Sequence, residues 1–201
     1  MEAVIKAILD FWFGEIKDGL TVEDRNKFWF MPNADVDNTI RDKFEDLVRQ
    51  AGSGKLKSWE GTPRGNLALI ILLDQFTRNI YRGKPDAFKY DSIARTICTE
   101  GIKNGTDKKL EIIERCFYYL PLEHSENLED QHRCVKLFEE LLVRVGKSKI
   151  TLIKNSLDYA VLHRSIIEEF GRFPHRNKIL NRESTKQELD FLLKQGNKFR
   201  Q

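Results

Sequence analysis

The sequence contains no apolar run long enough to cross a membrane. Its longest uninterrupted apolar stretch, Leu67 to Leu73, has seven residues, whereas a transmembrane helix needs about 20. The amino terminus has an acidic residue at position 2 and no small-residue cleavage site, so it is unlike a secretory signal peptide. We therefore expect a protein without a membrane partner.

Cysteine is also scarce, and its spacing is unlike that of a disulfide framework. The three cysteines are odd in number, lie 18 residues apart and include no Cys-x-x-Cys pair: Cys98, Cys116 and Cys134. Unpaired thiols of this kind are typical of the cytosol, where they are most often buried as small apolar residues. The sequence therefore predicts a cytoplasmic location, reduced thiols and no cofactor.

Neither sign of charge is in excess. The chain has 34 Lys and Arg residues against 31 Asp and Glu residues, with a formal net charge of +3. Proteins that bind nucleic acids usually present a clustered basic face, which this balance does not favour. We therefore expect no nucleic-acid partner, and the composition leaves the oligomeric state open.

Alternating β-branched residues, which are typical of strands, are missing, and the helical spacing of apolar residues dominates. The 201 residues, 40% of them hydrophobic, are enough for one core. The sequence predicts one all-α domain over residues 1–201, with about eight to ten helices and a frayed tail over residues 196–201. Caps and prolines mark the expected helix starts, which are Thr21, Asn33, Thr62, Pro85, Thr106 and Ser184.

Charged residues follow the most apolar helix in the sequence LDQFTRNIYRG, residues 73–83. Asp74 and Arg78 are four residues apart and are expected to pair along the helix. The apolar residues before them indicate a buried helix end, where an unpaired charge is costly. The side chains here either bind a ligand or bond to neighbouring carbonyls. The candidate ligand-binding residues are Asp74, Gln75, Arg78, Asn79 and Arg82.

A second charged motif, FGRFPHRN at residues 170–177, follows a predicted helix stop. Pro174 forces the preceding residue out of the helical region and can hold His175 and Arg176 in one pose. A guanidinium suits a carboxylate or phosphate because it donates two parallel hydrogen bonds. The structural alternative is that these cations cap the carboxyl ends of neighbouring helices. The candidate ligand-binding residues of this motif are Arg172, Arg176 and Asn177.

Three histidines and one glutamate are candidates for acid–base catalysis. Glu123 precedes His124 in YLPLEHSE, residues 119–126, and is expected to orient it as a general base. For His163, in the helix before the second motif, a satisfied core histidine is the alternative. The spacings match neither His-Glu-x-x-His nor Glu-x-x-His, so no metal is expected. The catalytic candidates are His124, His163, His175 and Glu123.

Four segments are similar to the motifs of a bacterial family of unknown function: LDFWFG (9–14), LALIILLDQFTRNIYRGKPDAFKYD (67–91), YLPLEHSENLEDQ (119–131) and HRSIIEEFGRFPHRNKIL (163–180). The resemblance spans nearly the whole chain. It implies a tetratricopeptide-like array of antiparallel helical hairpins without an assigned reaction. Two positions depart from the family pattern, since Thr77 stands where proline is common and Asn181 where glycine is common.

Both charged motifs share one order, which is acid, acid or amide, Phe, any residue, Arg, three residues and Arg. The leading prediction is a binding domain in which these arginines and His175, beside aromatic residues, receive a small anionic molecule or a peptide carboxylate. The first alternative is a hydrolase or transferase with a histidine base and an anionic substrate. The second is a protein-interaction scaffold without chemistry.

Overall fold

The computed structural model describes residues 1–144, 146 and 150–195 of the chain. Its α-helices are α1 (Glu2–Phe13), α2 (Asn26–Phe30), α3 (Ala34–Gly52), α4 (Pro63–Ile70), α5 (Thr77–Ile80), α6 (Asp91–Lys103), α7 (Ile112–Glu123), α8 (Leu128–Arg144), α9 (Ile150–Phe170) and α10 (Lys186–Gln195). A π-helical segment, Ile71–Phe76, joins α4 to α5 without a break. With that rod counted once, the described residues form nine α-helices, which confirms the predicted all-α class.

Short elements connect these helices. Two antiparallel strands, β1 (Ile16–Lys17) and β2 (Leu20–Thr21), form a tight turn whose residues Asp18 and Gly19 both have positive φ. This small pairing was not predicted, because two-residue strands leave no periodic pattern in a sequence. The 3₁₀ helices cover Lys57–Gly61, Pro85–Phe88, Asp107–Lys109 and Pro174–Arg176.

The core is built around the rod from Pro63 to Ile80. Residues 65–77 of the rod are all buried. A helix that is apolar on every side has no polar face that favours contact with solvent. As predicted, the Thr62 side chain accepts the N–H of Gly65 at 3.1 Å and Pro63 occupies the first turn. Helices α1, α3, α6 and α7 pack around the rod.

Two predicted helix starts are displaced because another local structure intervenes. Thr21 pairs in β2, and the carboxylate of Asp24 accepts the N–H of Asn26 at 2.9 Å where α2 begins. Thr106 precedes a 3₁₀ turn, and α7 instead begins after Glu111, which forms a capping box. The predicted caps at Thr21 and Thr106 are therefore wrong.

The starts of α6 and α10 are shifted by smaller amounts. Pro85 opens a 3₁₀ turn, and α6 itself begins at Asp91. The predicted cap of the last helix at Ser184 is one residue early, because Thr185 and Glu188 exchange the two capping hydrogen bonds at 2.7 and 3.2 Å. The start of α3 was predicted correctly, since the Asn33 side chain accepts two backbone N–H groups.

The two departures from the family pattern are both accommodated by the backbone. The hydroxyl of Thr77 donates to the carbonyl of Leu73 at 3.0 Å, and the helix continues through it. Asn181 adopts φ 52°, in the left-handed region that glycine favours and asparagine tolerates. Thr77 therefore adds a hydrogen bond that proline lacks, and Asn181 keeps the turn that glycine would make.

The three cysteines are buried and unpaired, on the successive helices α6, α7 and α8. Burial raises the pKa of the Cys116 thiol to about 12. A thiol of this kind stays protonated at neutral pH and is a poor nucleophile. The buried-thiol prediction is thus met at Cys98, Cys116 and Cys134.

Successive helices pack against one another in the second half of the chain, α7 with α8 and α8 with α9. The tetratricopeptide-like arrangement and the single-domain boundary stay predictions. Residues 196–201, which were predicted to fray, lie outside the described residues. In the part of the chain that the structure describes, no helix combines the length and apolarity of a membrane span.

Candidate functional site

A cavity of about 550 Å³ lies between α2, the central rod, α7, α9 and the 3₁₀ helix Pro174–Arg176. Ligand pockets in proteins usually measure about 300–1,000 Å³, so the space suits a small organic molecule. Most of the residues predicted from the sequence line it. They are Gln75, Arg78, Asn79, Arg82, Glu123, His124, His163, His175 and Arg176.

Asp74 lies behind the cavity wall, in the π-helical segment Ile71–Phe76. Short π-helical segments often occur at functional sites. The side chain of Asp74 is fully buried and forms the predicted ion pair with Arg78, at 3.0 Å. Burial alone raises the pKa of Asp74, but Arg78 and His124 outweigh burial and hold the pKa well below its ordinary value. The carboxylate is therefore ionised at neutral pH.

His124 is oriented by Asp74 and not, as expected from the sequence, by Glu123. Its Nδ1 lies 2.9 and 3.0 Å from the two Asp74 oxygens. Adjacent residues on a helix point in different directions, which is why Glu123 does not reach the neighbouring ring. An ionised carboxylate only accepts hydrogen bonds, so Nδ1 carries the proton.

The other nitrogen of His124, Nε2, is consequently the basic one. Burial, and then Arg78, lower the pKa of His124, so the ring is neutral at pH 7. No residue in the described ranges hydrogen-bonds to Nε2. A buried Asp that fixes the tautomer of a cavity-lining His is the arrangement that general-base catalysis uses.

Glu123 instead contacts His163, with 3.3 Å between Oε1 and Nδ1. The same Nδ1 donates to the carbonyl of Tyr159 at 2.9 Å, because a carbonyl can only accept. Burial, and then the charge of Asp74, raise the pKa of Glu123 to about 8, while burial lowers that of His163 to about 4. Both side chains are therefore mostly uncharged at neutral pH.

Carboxylates hold two of the cavity arginines. Arg78 donates to both oxygens of Asp91 at 3.0 Å, in addition to its pair with Asp74. Arg82 donates to both oxygens of Asp37 at 2.7 and 2.9 Å, and Asn79 donates to Asp37 at 2.8 Å. The charges of Arg78 and Arg82 are thus compensated within the protein.

Arg176 is different, because it is buried without a carboxylate that accepts a hydrogen bond from it. Its side chain is 6% exposed, and its nearest carboxylate oxygen is that of Asp91 at 3.9 Å. The guanidinium lies over the rings of Phe173 and Phe88, at 4.5 and 4.8 Å, and makes no side-chain hydrogen bond to any described residue. Burial, and then repulsion from Arg78, lower its pKa to about 10, so it stays charged at neutral pH.

Arg172 and Asn177 do not line the cavity, so their expected place in the cleft is corrected here. Arg172 donates to both carboxylate oxygens of Glu188 at 2.6 and 2.8 Å. Asn177 is buried and donates to the Ser184 hydroxyl at 3.1 Å. The cause lies in the backbone, because Gly171 ends α9 with φ 67° and turns the following residue away from the helix axis.

Glu126 anchors the turn that carries His175 and Arg176. Its carboxylate accepts the backbone N–H of Phe173 at 2.8 Å and two hydrogen bonds from Arg182 at 2.7 and 2.9 Å. These contacts tie the second charged motif to the chain just after His124. The pose that Pro174 was expected to impose therefore also depends on this distant carboxylate.

Sequence reasoning missed the acids that hold the arginines and the residues of the apolar wall. Asp91 and Glu126 lie inside the segments that resemble family motifs, but their positions at helix starts and in loops are typical of ordinary caps. Among aromatic residues, the sequence did not distinguish core from cavity wall. The missed residues are Asp37, Asp91, Glu126, Trp29, Phe30 and Phe117.

The site thus combines a basic nitrogen on His124, the buried guanidinium of Arg176 without a hydrogen bond to a described residue, and several neutral polar groups in one cavity. Such a set suits the binding of an anion and proton transfer beside it. Within residues 1–144, 146 and 150–195, no group of three or more His, Cys, Asp or Glu side chains is arranged to hold a metal ion.

Comparison with known proteins bears out the sequence resemblance. The family described as "bacterial protein of unknown function (DUF924)" matches residues 8–196. A solved structure of a protein of unknown function from Agrobacterium tumefaciens is similar, with a TM-score of 0.81, 35% sequence identity, and coverage of 96% of this chain and 98% of that chain. Curated proteins give no significant match. The chain belongs to the DUF924 family of bacterial proteins.

Proposed function

We propose that the cavity binds a small anionic ligand whose carboxylate or phosphate group accepts hydrogen bonds from Arg176. The observation that supports this proposal is the burial of that guanidinium without a hydrogen bond to the described residues. Buried donors are almost always satisfied, and a charged group left without acceptors is costly. An anion in the cavity supplies both the acceptors and the compensating charge.

The surroundings of Arg176 favour a negative ligand over a positive one. Arg78 and Arg176 carry two positive charges and Asp74 and Asp91 carry two negative ones, so these four groups sum to zero before a ligand enters. Both arginines line the cavity, whereas the two aspartates do not. Glu123, with its pKa raised to about 8, is mostly protonated at pH 7 and does not repel an anion. Among the cavity-lining arginines, Arg176 is the one whose guanidinium makes no hydrogen bond to a described residue, so we expect it to bind the negative group of the ligand.

The test uses two matched variants, Arg176→Met and Arg172→Met. A thermal-shift panel of small carboxylates and phosphates first identifies a binding anion, since a ligand at 100 times its Kd stabilises by about 2.7 kcal/mol. Titration calorimetry then compares the variants. We expect Arg176→Met to weaken binding by roughly 30-fold or more, and Arg172→Met to leave it unchanged, because Arg172 is bound to Glu188 outside the cavity. A panel without any shift, or equal affinities for both variants, would contradict the proposal.

A second candidate function is acid–base catalysis on the bound anion, as in a hydrolase or transferase. It is favoured by the Asp74–His124 pair, which leaves Nε2 as a base beside the cavity. General bases contribute about 10²–10⁴-fold to a rate. His124→Ala should therefore lower the hydrolysis of p-nitrophenyl phosphate, an anionic ester, at least a hundredfold. His132→Ala, at an exposed position, serves as the control. Equal rates in the two variants would exclude this chemistry.

A further inference from the structure

The cavity wall changes from apolar to polar along α7. One face of this helix presents Ile113, Phe117 and Leu120 to the cavity in its first turns, and Glu123 and His124 at its end. The spacing of three or four residues keeps all of them on one side. With a rise of about 1.5 Å per residue, the face extends roughly 16 Å from its apolar start to His124.

Helix α9 lines the cavity with one aliphatic residue near its start and with polar residues after it. In chain order they are Leu152, Asn155, Ser156, Tyr159 and His163. Phe170 is the last residue of the helix, and the turn that carries Arg176 follows shortly after it. The two helices therefore place their histidines at the end of the cavity where Arg176 lies, with 6.5 Å between the ring centroids of His124 and His163.

Helix α2 lines the other end of the cavity with the aromatic side chains of Trp29 and Phe30, beside the exposed Asn26 and Lys27. The ring centroids of Trp29 and Phe30 lie 4.8 and 6.1 Å from that of Phe117 on α7. Phe30 and Met31 are 62% and 58% exposed although both line the cavity. An exposed aromatic and an exposed thioether at the rim of an apolar wall are typical of a surface that contacts an apolar ligand.

We infer that the ligand is an amphipathic anion, with its acidic group at Arg176 and an apolar chain or ring that extends along α7 toward Phe30. This inference rests on the proposed function and adds the substrate class. A bare acetate or phosphate ion would fill only a small part of the cavity of about 550 Å³. It would also leave the apolar side chains of α2 and α7 in contact with water, which is unfavourable in free energy. A hydrocarbon group of the ligand that packs against them removes this unfavourable contact.

The experiment measures how affinity depends on chain length, with butanoate, hexanoate, octanoate and decanoate as probes in titration calorimetry. Each methylene that becomes buried should lower Kd roughly three- to fourfold, so that decanoate binds on the order of a hundredfold more tightly than hexanoate. Decyl phosphate tests whether a phosphate replaces the carboxylate. Decanol and decylamine carry the same chain without the negative charge and should bind far more weakly.

Two variants separate the ends of the ligand. Arg176→Met should weaken all the acids and remove their advantage over decanol. Phe30→Ser should weaken decanoate by about tenfold and leave butanoate unchanged, because the short chain does not reach α2. Val22→Ser is the control, because Val22 does not line the cavity. Phe30 and Val22 are both more than half exposed, so both variants are expected to fold.

The outcomes distinguish this inference from the proposed function. Binding that depends on Arg176 but has the same Kd for butanoate and decanoate would overturn the amphipathic ligand and keep the anion site. Equal affinities for decanoate and decanol, or no effect of Arg176→Met on decanoate, would overturn both. Equal losses from Phe30→Ser and Val22→Ser would overturn the assignment of the apolar end.

Discussion

Two helix ends carry the same sequence of acid, Phe and two arginines, yet the fold uses them differently. At the end of the central rod, Arg78 and Arg82 both line the cavity and are both held by carboxylates. After α9, Arg172 pairs with Glu188, while Arg176 lines the cavity without a hydrogen bond to any of the described residues. The comparison shows that the same sequence order can put arginines at two helix ends without determining which acceptors bind them.

The backbone explains the different directions of the arginines. The rod continues through its π-helical segment into α5, so that Arg78 and Arg82, four residues apart, stay on one face. The second end is interrupted by Gly171, with φ 67°, and by the 3₁₀ helix Pro174–Arg176. Its two arginines consequently point to different surroundings.

The largest expected effect is a difference in stability between Arg78→Met and Arg176→Met, which make the same substitution at two cavity-lining arginines. Arg78→Met removes the guanidinium that pairs with both Asp74 and Asp91 and should lower the free energy of unfolding by about 3–5 kcal/mol. Arg176→Met removes a buried cation that makes no hydrogen bond to a described residue, keeps the apolar contacts of the side chain, and should not lower stability. Urea denaturation of both variants measures the difference. Similar losses in the two would show that Arg176 is compensated after all.

The second prediction concerns the neighbouring acids Asp74 and Glu123, which differ in charge at neutral pH. The folded-state pKa of Glu123 is raised from its ordinary 4.5 to about 8. Between these values the folded protein keeps a proton that the unfolded chain has lost, so stability falls as pH rises from about 4.5 to 8.

Glu123→Gln should remove this fall, because the amide stays uncharged. The variant is expected to be more stable than the wild type at pH 8, on the order of a few kcal/mol, with little difference near pH 4.5. Denaturation midpoints at the two pH values provide the measurement, and Glu129→Gln, at an exposed position, is the matched control. A variant that follows the wild type at both pH values would mean that Glu123 is ionised in the fold.

A third prediction tests what keeps the second helix end in place. Glu126→Gln removes a charge that accepts hydrogen bonds from Arg182 and from the backbone of Phe173. The free energy of unfolding should fall by about 1–3 kcal/mol, and anion affinity should fall with it because the turn that carries Arg176 loosens. If the free energy of unfolding fell while anion affinity stayed constant, Glu126 would have no role in positioning Arg176 for the anion.

The smallest effect on anion affinity is expected at Arg172, which does not line the cavity. Arg172→Ala removes the pair with Glu188, a partly exposed contact at the start of α10. Anion affinity should stay within about twofold of the wild type, as for surface substitutions remote from a site. A larger loss in titration calorimetry would place Arg172 in the ligand's surroundings and would remove the distinction between the two helix ends.

Parts of this site were predictable because they depend on neighbours in the sequence. The Asp74–Arg78 pair follows from the spacing of one helical turn, and the start of the central rod follows from Thr62 and Pro63. The bond between Asp74 and His124, which are 50 residues apart, has no such local signal. The sequence therefore named His124, which lines the cavity, but it named the wrong acid beside it.

The sequence alone determined the helical class, the buried central rod and most of the polar residues that line the cavity, because caps, periodicity and helix breakers act over a few residues. Only the tertiary structure decided which charges meet. Asp37 reaches Arg82 across 45 residues, and Asp91 lies between Arg78 and Arg176. Compensation of a buried charge depends on distances of a few ångströms between elements far apart in the chain. This is the reason that the sequence could not show that Arg172 pairs with Glu188 while Arg176 lines the cavity without a hydrogen bond to a described residue.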